Sequence, residues 1–445
     1  MKVGIVSLGC AKNLVDSERM WGVLQREGHE LVHPEEAEVV VVNTCGFLGD
    51  AVRESVEAIV EAAGLKESGR CRRLVVTGCL VERYGDELRR ELPEVDVFCG
   101  TGPTPPLEVL LGGPAAATAR HPYDPDAPRA LLTPPWTAYL KVSEGCSRSC
   151  SFCVIPSLRG PMRSRTPDDL AAEAERLAGG GVKELNLVAQ DLTSYGRDIG
   201  SSLEELLGRL CRIEGVRWIR LLYCYPWGFT PALLDTIASE EKIVNYVDVP
   251  LQHINDRILG LMNRKTTSTG LRQLVSTLRE RIPRLTLRTT FIVGFPTETE
   301  REFRELLDFV EEAHFERVGV FTYSHEEGTA AAALEDNVPP EEKEERRERL
   351  MELQASISQR HNAALVGEEL EALIERRDGA RWEARLASQA PEVDGVTYVE
   401  STAPLRPGDI VPVTVTAADT YDLHAVAAPR RGRTPSPRPQ AAQRT

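Results

Sequence analysis

The stretch EGCSRSCSFCVIPSLRG, residues 144–160, sets Cys146, Cys150 and Cys153 in a CxxxCxxC pattern. It follows TAYLKVS (137–143), a run that reads as β-strand. Further strand-like runs come after it: KELNLVA (183–189), WIRLLYC (218–224), YVDVP (246–250), TLRTTFIVG (286–294) and RVGVFTY (317–323). Helical segments such as PDDLAAEAERLAGGG and REFRELLDFVEEA lie between them. Six βα units predict a parallel sheet curled into a partial (β/α)6 TIM-like barrel. The cysteine loop then sits at the C-terminal mouth, where such folds keep their chemistry.

Three thiols on one short loop, with no fourth nearby, can hold three irons of a 4Fe–4S cluster and leave the fourth iron open. An open iron binds substrate or cofactor, whereas an electron carrier normally closes that position. Zinc is the competing reading. Closed zinc sites usually show two separated Cys/His pairs, and no His lies near this loop.

Upstream, VGIVSL (3–8), VVVVN (39–43), RLVVT (73–77) and a shorter run ending at Phe98 alternate with helical segments, again predicting an α/β parallel sheet. Cys10, Cys45 and Cys79 each follow one of these strands, at intervals of 35 and 34 residues. Parallel strands end on one edge, and ligands bind in the crevice outside it. One such cysteine would read as an inert buried residue. Three at the same strand-end position read as ligands of a second three-thiolate cluster. Cys99 ends a strand at that edge and reads as packing, Cys71 belongs at the opposite edge, Cys211 in a helix, and Cys224 at a barrel strand end. His253 is the one histidine expected near the cavity.

The boundaries implied are 1–112 for the first α/β domain, 113–135 for a Pro/Gly/Ala-rich linker, and 136–365 for the barrel with a long charged helix. A small β-barrel then covers 366–428 and a Pro/Arg-rich disordered tail 429–445. The 445 residues carry a net charge of −15, which disfavours broad contact with phosphate backbones. Ten cysteines and no apolar run long enough for a leader or membrane span predict a cytoplasmic chain with metal or redox chemistry. Walker, HExxH and GxSxG motifs are absent.

Two three-cysteine constellations on an α/β domain, a barrel and a small β-domain resemble the radical S-adenosylmethionine (SAM) methylthiotransferases. SLGCAKNLVDSERM, VVNTCGFL, CSFCVIPSLRG and PLQHINDRILGLMNR resemble the branch acting on an aspartate of small-subunit ribosomal protein twelve. The transfer-RNA branch usually has a TxGCQMN-like start where this chain has GCAKN. The resemblance implies two 4Fe–4S clusters and SAM. The set at Cys146, Cys150 and Cys153 would generate the deoxyadenosyl radical, and the set at Cys10, Cys45 and Cys79 would present sulfur. It implies that Phe152 contacts the adenine and that Gln190, Gln252 and Gly294 line the SAM pocket. It also implies a TRAM-like C-terminal domain, a flavodoxin-like or ferredoxin-like electron donor, and ribosomal protein twelve rather than transfer RNA as substrate. Transfer-RNA methylthiolation is the nearest alternative, and a non-catalytic iron–sulfur module a remote one. Arg159, Arg163 and Arg165 read as a basic face, either solvated or turned to an acidic substrate.

Overall fold

The computed structural model describes residues 1–101 and 128–427. Most of the expected linker and all of the expected tail lie outside the described residues. The chain divides into two compact units, Met1–Ser358 and one beginning at Gln359.

The first unit opens with five parallel strands: β1 (Lys2–Ser7), β2 (Glu30–Leu31), β3 (Val39–Thr44), β4 (Arg73–Gly78) and β5 (Val97–Cys99), in the order β2-β1-β3-β4-β5. β3 is buried along its whole length, as expected of an unbroken apolar run in a sheet covered on both faces. Helices α1 (Ala11–Arg26), α2 (Gly49–Glu67) and α3 (Cys79–Glu91) make the crossovers.

The second sheet of this unit holds β6 (Thr137–Lys141), β9 (Glu184–Val188), β10 (Trp218–Leu221), β11 (Ile243–Asp248), β12 (Thr286–Val293) and β13 (Arg317–Thr322), all parallel and in consecutive order. The six predicted strands are all present. A two-residue pair, β7 (Ser143–Glu144) with β8 (Arg163–Ser164), pins both ends of the cysteine loop. Within that loop is α4 (Ile155–Arg159), followed beyond it by α5 (Pro167–Gly179), α6 (Leu203–Leu210), α7 (Pro231–Ser239), α8 (Asp256–Leu261), α9 (Ser268–Arg281) and α10 (Glu300–Ala313). Their starts are written in the sequence. Thr166, Ser202, Thr230, Asn255 and Thr267 each accept a backbone N–H as N-cap, and Thr299 with Glu302 forms a capping box. Phe291, Phe309 and Phe315 meet edge to face at 5.5–6.4 Å in the core behind the sheet.

Helix α1 is buried nearly all round, including Lys12, Asp16, Glu18 and Arg19. Its polar side meets the barrel. Arg19 pairs with Glu173 at 3.0 Å, Arg129 bridges Glu18 and Glu173, and Lys141 pairs with Asp16. Burial alone would raise the Glu173 carboxyl. Arg165, Arg129 and Arg19 outweigh it and hold the group well below the usual carboxylate range.

After α11 (Pro340–Ala364), the second unit closes a five-stranded barrel from β14 (Glu369–Asp378), β15 (Arg381–Leu386), β16 (Thr397–Glu400), β17 (Ile410–Ala418) and β18 (Leu423–Ala427). Its core includes Ala372, Ile374, Leu386, Val399, Val413, Val415 and Leu423. No described helix is long and apolar enough to cross a membrane.

Candidate metal centres at the sheet edge and the barrel mouth

Cys10 is the N-cap of α1, Cys45 directly follows β3, and Cys79 opens α3 directly after β4. All three therefore lie at the C-terminal edge of the first sheet. Close backbone packing brings them together. Gly9 has φ +85°, and a Cβ there would stand 2.7 Å from Cys45 Cβ and 3.0 Å from its Sγ. Gly78 has φ +104°, and its Cβ would strike Thr44 O at 2.4 Å. A Cβ on Gly46 would meet Cys79 O at 2.8 Å. Only glycine tolerates both demands at positions 9 and 78.

Asn13 ties these turns, its side-chain amide donating to the carbonyls of Leu8, Asn43 and Thr44. Ser55 Oγ accepts from Cys45 N–H and donates to Cys45 O, fixing that turn from both sides. Burial pushes the Cys45 thiol up to about 11, with Cys79 and Cys10 adding to the rise. Cys79 is raised by burial in spite of Arg159. Cys10 goes the other way: burial opposes ionisation, but Lys12, Arg159 and two backbone N–H groups lower it.

At the barrel mouth, Cys146 N–H donates to Gly160 O at 2.9 Å and Cys153 N–H to Cys150 O at 3.2 Å. Gly145 has φ +80°, and its Cβ would strike Pro161 O at 2.3 Å. The two ends of the loop are thus clamped. Arg264 Nη1 reaches Cys150 Sγ at 3.5 Å, and Arg148 N–H reaches Cys146 Sγ at the same distance. Burial pushes Cys153 up to about 12, and Cys150 and Cys146 add to it. Among the described residues no three His, Cys, Asp or Glu side chains are placed to share a single metal ion.

Of the expected SAM-pocket residues, Gln190 and Gln252 follow β9 and β11. Their side-chain oxygens are buried without a hydrogen-bond partner among the described residues. Such orphaned acceptors fit an amine donor supplied by a ligand. Gln252 also holds φ +74°, an uncommon conformation for this residue type. Phe152 packs half-buried against Ile258, Met262, Phe295 and Tyr323. Gly294 directly follows β12 with φ +67°, and Lys343 leaves no room for a Cβ there.

The basic-face reading of Arg159 and Arg165 is corrected. Both are buried. Arg165 is spent on Asp169, Glu173 and Lys141 O. Arg159 donates to Cys79 Sγ at 3.3 Å, Asp16 at 3.3 Å, Glu144 at 2.9 Å and Asn13 at 3.1 Å. Arg163 alone is exposed. Cys224 is buried in the barrel core, and Cys71 lies two residues ahead of β4, at the opposite edge from the triad. His253 is fully buried, its Nδ1 accepting from Asn255 N–H. Sequence reasoning missed Asp16, Glu144 and Lys12. The signal was there: three charged residues close to cysteines, two of them in a helix buried on every side.

Residues 2–100 match the family model described as uncharacterized protein family UPF0004, residues 140–310 the radical SAM superfamily, and residues 366–427 the TRAM domain. A curated relative from Anaeromyxobacter sp. (strain Fw109-5), ribosomal protein uS12 methylthiotransferase RimO, is 50% identical, covering 98% of this chain and 96% of its own. The enzyme of the same name from Pelotomaculum thermopropionicum is 49% identical, covering 95% and 98%. Among solved structures, the radical SAM methyltransferase TsrM from Kitasatospora setae superposes with a TM-score of 0.54 at 17% identity, over 72% of this chain and 74% of that one. The cobalamin-dependent radical SAM enzyme OxsB gives 0.51 at 11% identity, over 80% and 56%. These two establish the fold alone. Parallel α/β sheets, a radical SAM barrel and a closed TRAM barrel define a radical SAM methylthiotransferase. The chain belongs to that family, in the branch of the ribosomal protein uS12 methylthiotransferases.

Proposed function

We propose that this chain inserts a methylthio group at the β-carbon of an aspartate in ribosomal protein uS12. Cys146, Cys150 and Cys153 would hold one 4Fe–4S cluster, and Cys10, Cys45 and Cys79 a second. When bound, these clusters and SAM supply the radical that breaks an unactivated C–H bond and the sulfur that replaces the hydrogen. The residues do the rest. Gln190 and Gln252 present acceptors for the amine of SAM, Phe152 offers its ring to the adenine, and Gly294 lets the chain turn at the strand end beside them.

The observation that carries this reading is the contact between Arg159 and Cys79. The helix that continues one cysteine loop touches a thiol of the other set, so two sites 67 residues apart in sequence, from Cys79 to Cys146, adjoin in space. A radical made at one and sulfur delivered from the other need that proximity.

The acidic TRAM barrel supports a protein substrate. From Val366 to Leu423 it carries five Lys/Arg against twelve Asp/Glu, which attracts a basic ribosomal protein and repels a phosphate backbone. Transfer RNA is therefore the disfavoured substrate, and a flavodoxin-like or ferredoxin-like protein is the expected electron donor. Anaerobic iron analysis tests the cluster count. The full chain should bind about eight irons, and the triple Cys146/Cys150/Cys153→Ala variant about half. Zinc, or a single cluster in the wild type, would contradict the assignment.

A further inference from the structure

The buried cations of the first unit have acidic partners, with few exceptions. Lys141 and Arg159 share Asp16 and Glu144, Arg19, Arg129 and Arg165 share Glu173, and Arg220 pairs with Glu184. Lys12 departs from this pattern. It is 6% exposed, and no carboxylate among the described residues pairs with it. Its ammonium lies 3.3 Å from the ring centroid of Tyr223.

The position makes the departure costly. Cys10 caps α1, so Lys12 is its second residue, where the helix dipole favours anions. The first turn of α1 carries no acid to compensate. Tyr223 is itself held out of the common regions, at φ +60°. Its N–H donates to Asp248 Oδ2 and its carbonyl accepts from Leu192 N–H. Tyr223 therefore sits among the strand ends of the barrel. Lys12 reaches it from the edge of the first sheet, two residues from Cys10. Arg264, another buried cation facing no carboxylate, spends its N–H groups on Pro250 O and Cys150 Sγ.

We propose that Lys12 is a substrate-binding, specificity-determining residue, whose ammonium receives the carboxylate of the target aspartate. The inference rests on the uS12 reading above. A carboxylate brought between two thiolate sites needs a cation that no carboxylate among the described residues already holds, and Lys12, beside Cys10 and the Tyr223 ring, is one. Anchoring the carboxylate fixes the adjacent β-carbon one bond away, which is the carbon to be modified. An asparagine substrate of the same shape would leave the ammonium without its counterion.

The test compares purified uS12 carrying aspartate or asparagine at the modified position, with reconstituted wild-type, Lys12→Gln and Lys12→Arg enzymes. The wild type should favour aspartate. Lys12→Gln should raise KM for the aspartate form about tenfold to hundredfold, the range of a charge-assisted hydrogen bond, and barely change KM for the asparagine form. Lys12→Arg should keep most of the preference. A purely structural role would move both substrates alike and would not be rescued by arginine. The proposal is overturned if Lys12→Gln keeps the wild-type preference, or if the wild type takes both forms equally. The second comparison holds even if the glutamine variant fails to load iron. A wild type that modifies neither form overturns the substrate assignment itself, and this inference with it.

Discussion

Arg159 Nε donates to Cys79 Sγ at 3.3 Å, although Cys79 opens α3 behind the first sheet and Arg159 ends α4 in the cysteine loop of the second. The same guanidinium holds Asp16 and Glu144, both of which it shares with Lys141. Arg159→Gln leaves the buried Asp16 and the half-buried Glu144 with one cation. We expect a loss of about 3–5 kcal/mol, read by denaturant unfolding. Hydrogen bonds to cluster sulfurs raise reduction potentials, so the cluster at Cys10, Cys45 and Cys79 should become harder to reduce. An unchanged potential in a folded, fully loaded variant would remove Arg159 from that cluster's surroundings.

Gly9→Ala tests the packing of the first thiol set. The new methyl would meet Cys45 at 2.7 Å on a backbone at φ +85°. The variant should lose about half of its iron while the barrel set keeps its share. Electron paramagnetic resonance of the reduced protein distinguishes loss of one cluster from partial loss of both.

Cys99→Ser should keep full iron content. Cys99 ends β5 at the right edge, but it packs against Val3, Val39, Val41 and Val75. Burial raises its thiol to about 11, opposed by Arg89 and Arg73, and no other cysteine contributes. Cys45, by contrast, feels both Cys79 and Cys10. Iron loss in this variant would mean that Cys99 replaces one of the three assigned ligands.

Glu302 gives a pH-dependent prediction. It accepts hydrogen bonds from Arg257 and from Thr299 N–H and Oγ1, and Arg257 leads in holding its carboxyl down to about 2. A depressed folded pKa contributes stability above the ordinary glutamate value, lost as pH falls from about 4.3 toward 2. Glu302→Gln should cost about 1–2 kcal/mol at neutral pH. The gap between variant and wild type should narrow below about pH 4. A gap independent of pH would show that the carboxylate charge contributes nothing.

Most of the architecture was legible because it rests on local signals. Apolar β-branched runs marked every barrel strand, and Ser, Thr and Asn marked the helix starts. Cys10, Cys45 and Cys79 stand out in the sequence as candidate ligands because they recur at strand ends, and Cys146, Cys150 and Cys153 because they share one short loop. β15, RWEARL, is harder to see: Trp382, Ala384 and Leu386 do alternate with Glu383 and Arg385, but the run is short and holds no β-branched residue. Arg159 and Arg165 were misread for a different reason. Charge alone suggests solvent; the acceptors of Arg159 include Asp16 and Cys79, far away in sequence, whereas Arg165 turns back onto Asp169 and Glu173 of the helix that follows it. Lys12 stands two residues from Cys10 in the sequence, but its lack of a carboxylate partner among the described residues shows only in the fold.

The most direct measurement is mass spectrometry of uS12 after anaerobic incubation with the reconstituted chain, SAM, sulfide and a reductant. Wild-type enzyme should convert one aspartate to its β-methylthio form, Cys45→Ala and Cys153→Ala should not, and transfer RNA should emerge unmodified. Methylthiolated transfer RNA beside untouched uS12 would contradict the account, as would full product from either cysteine variant.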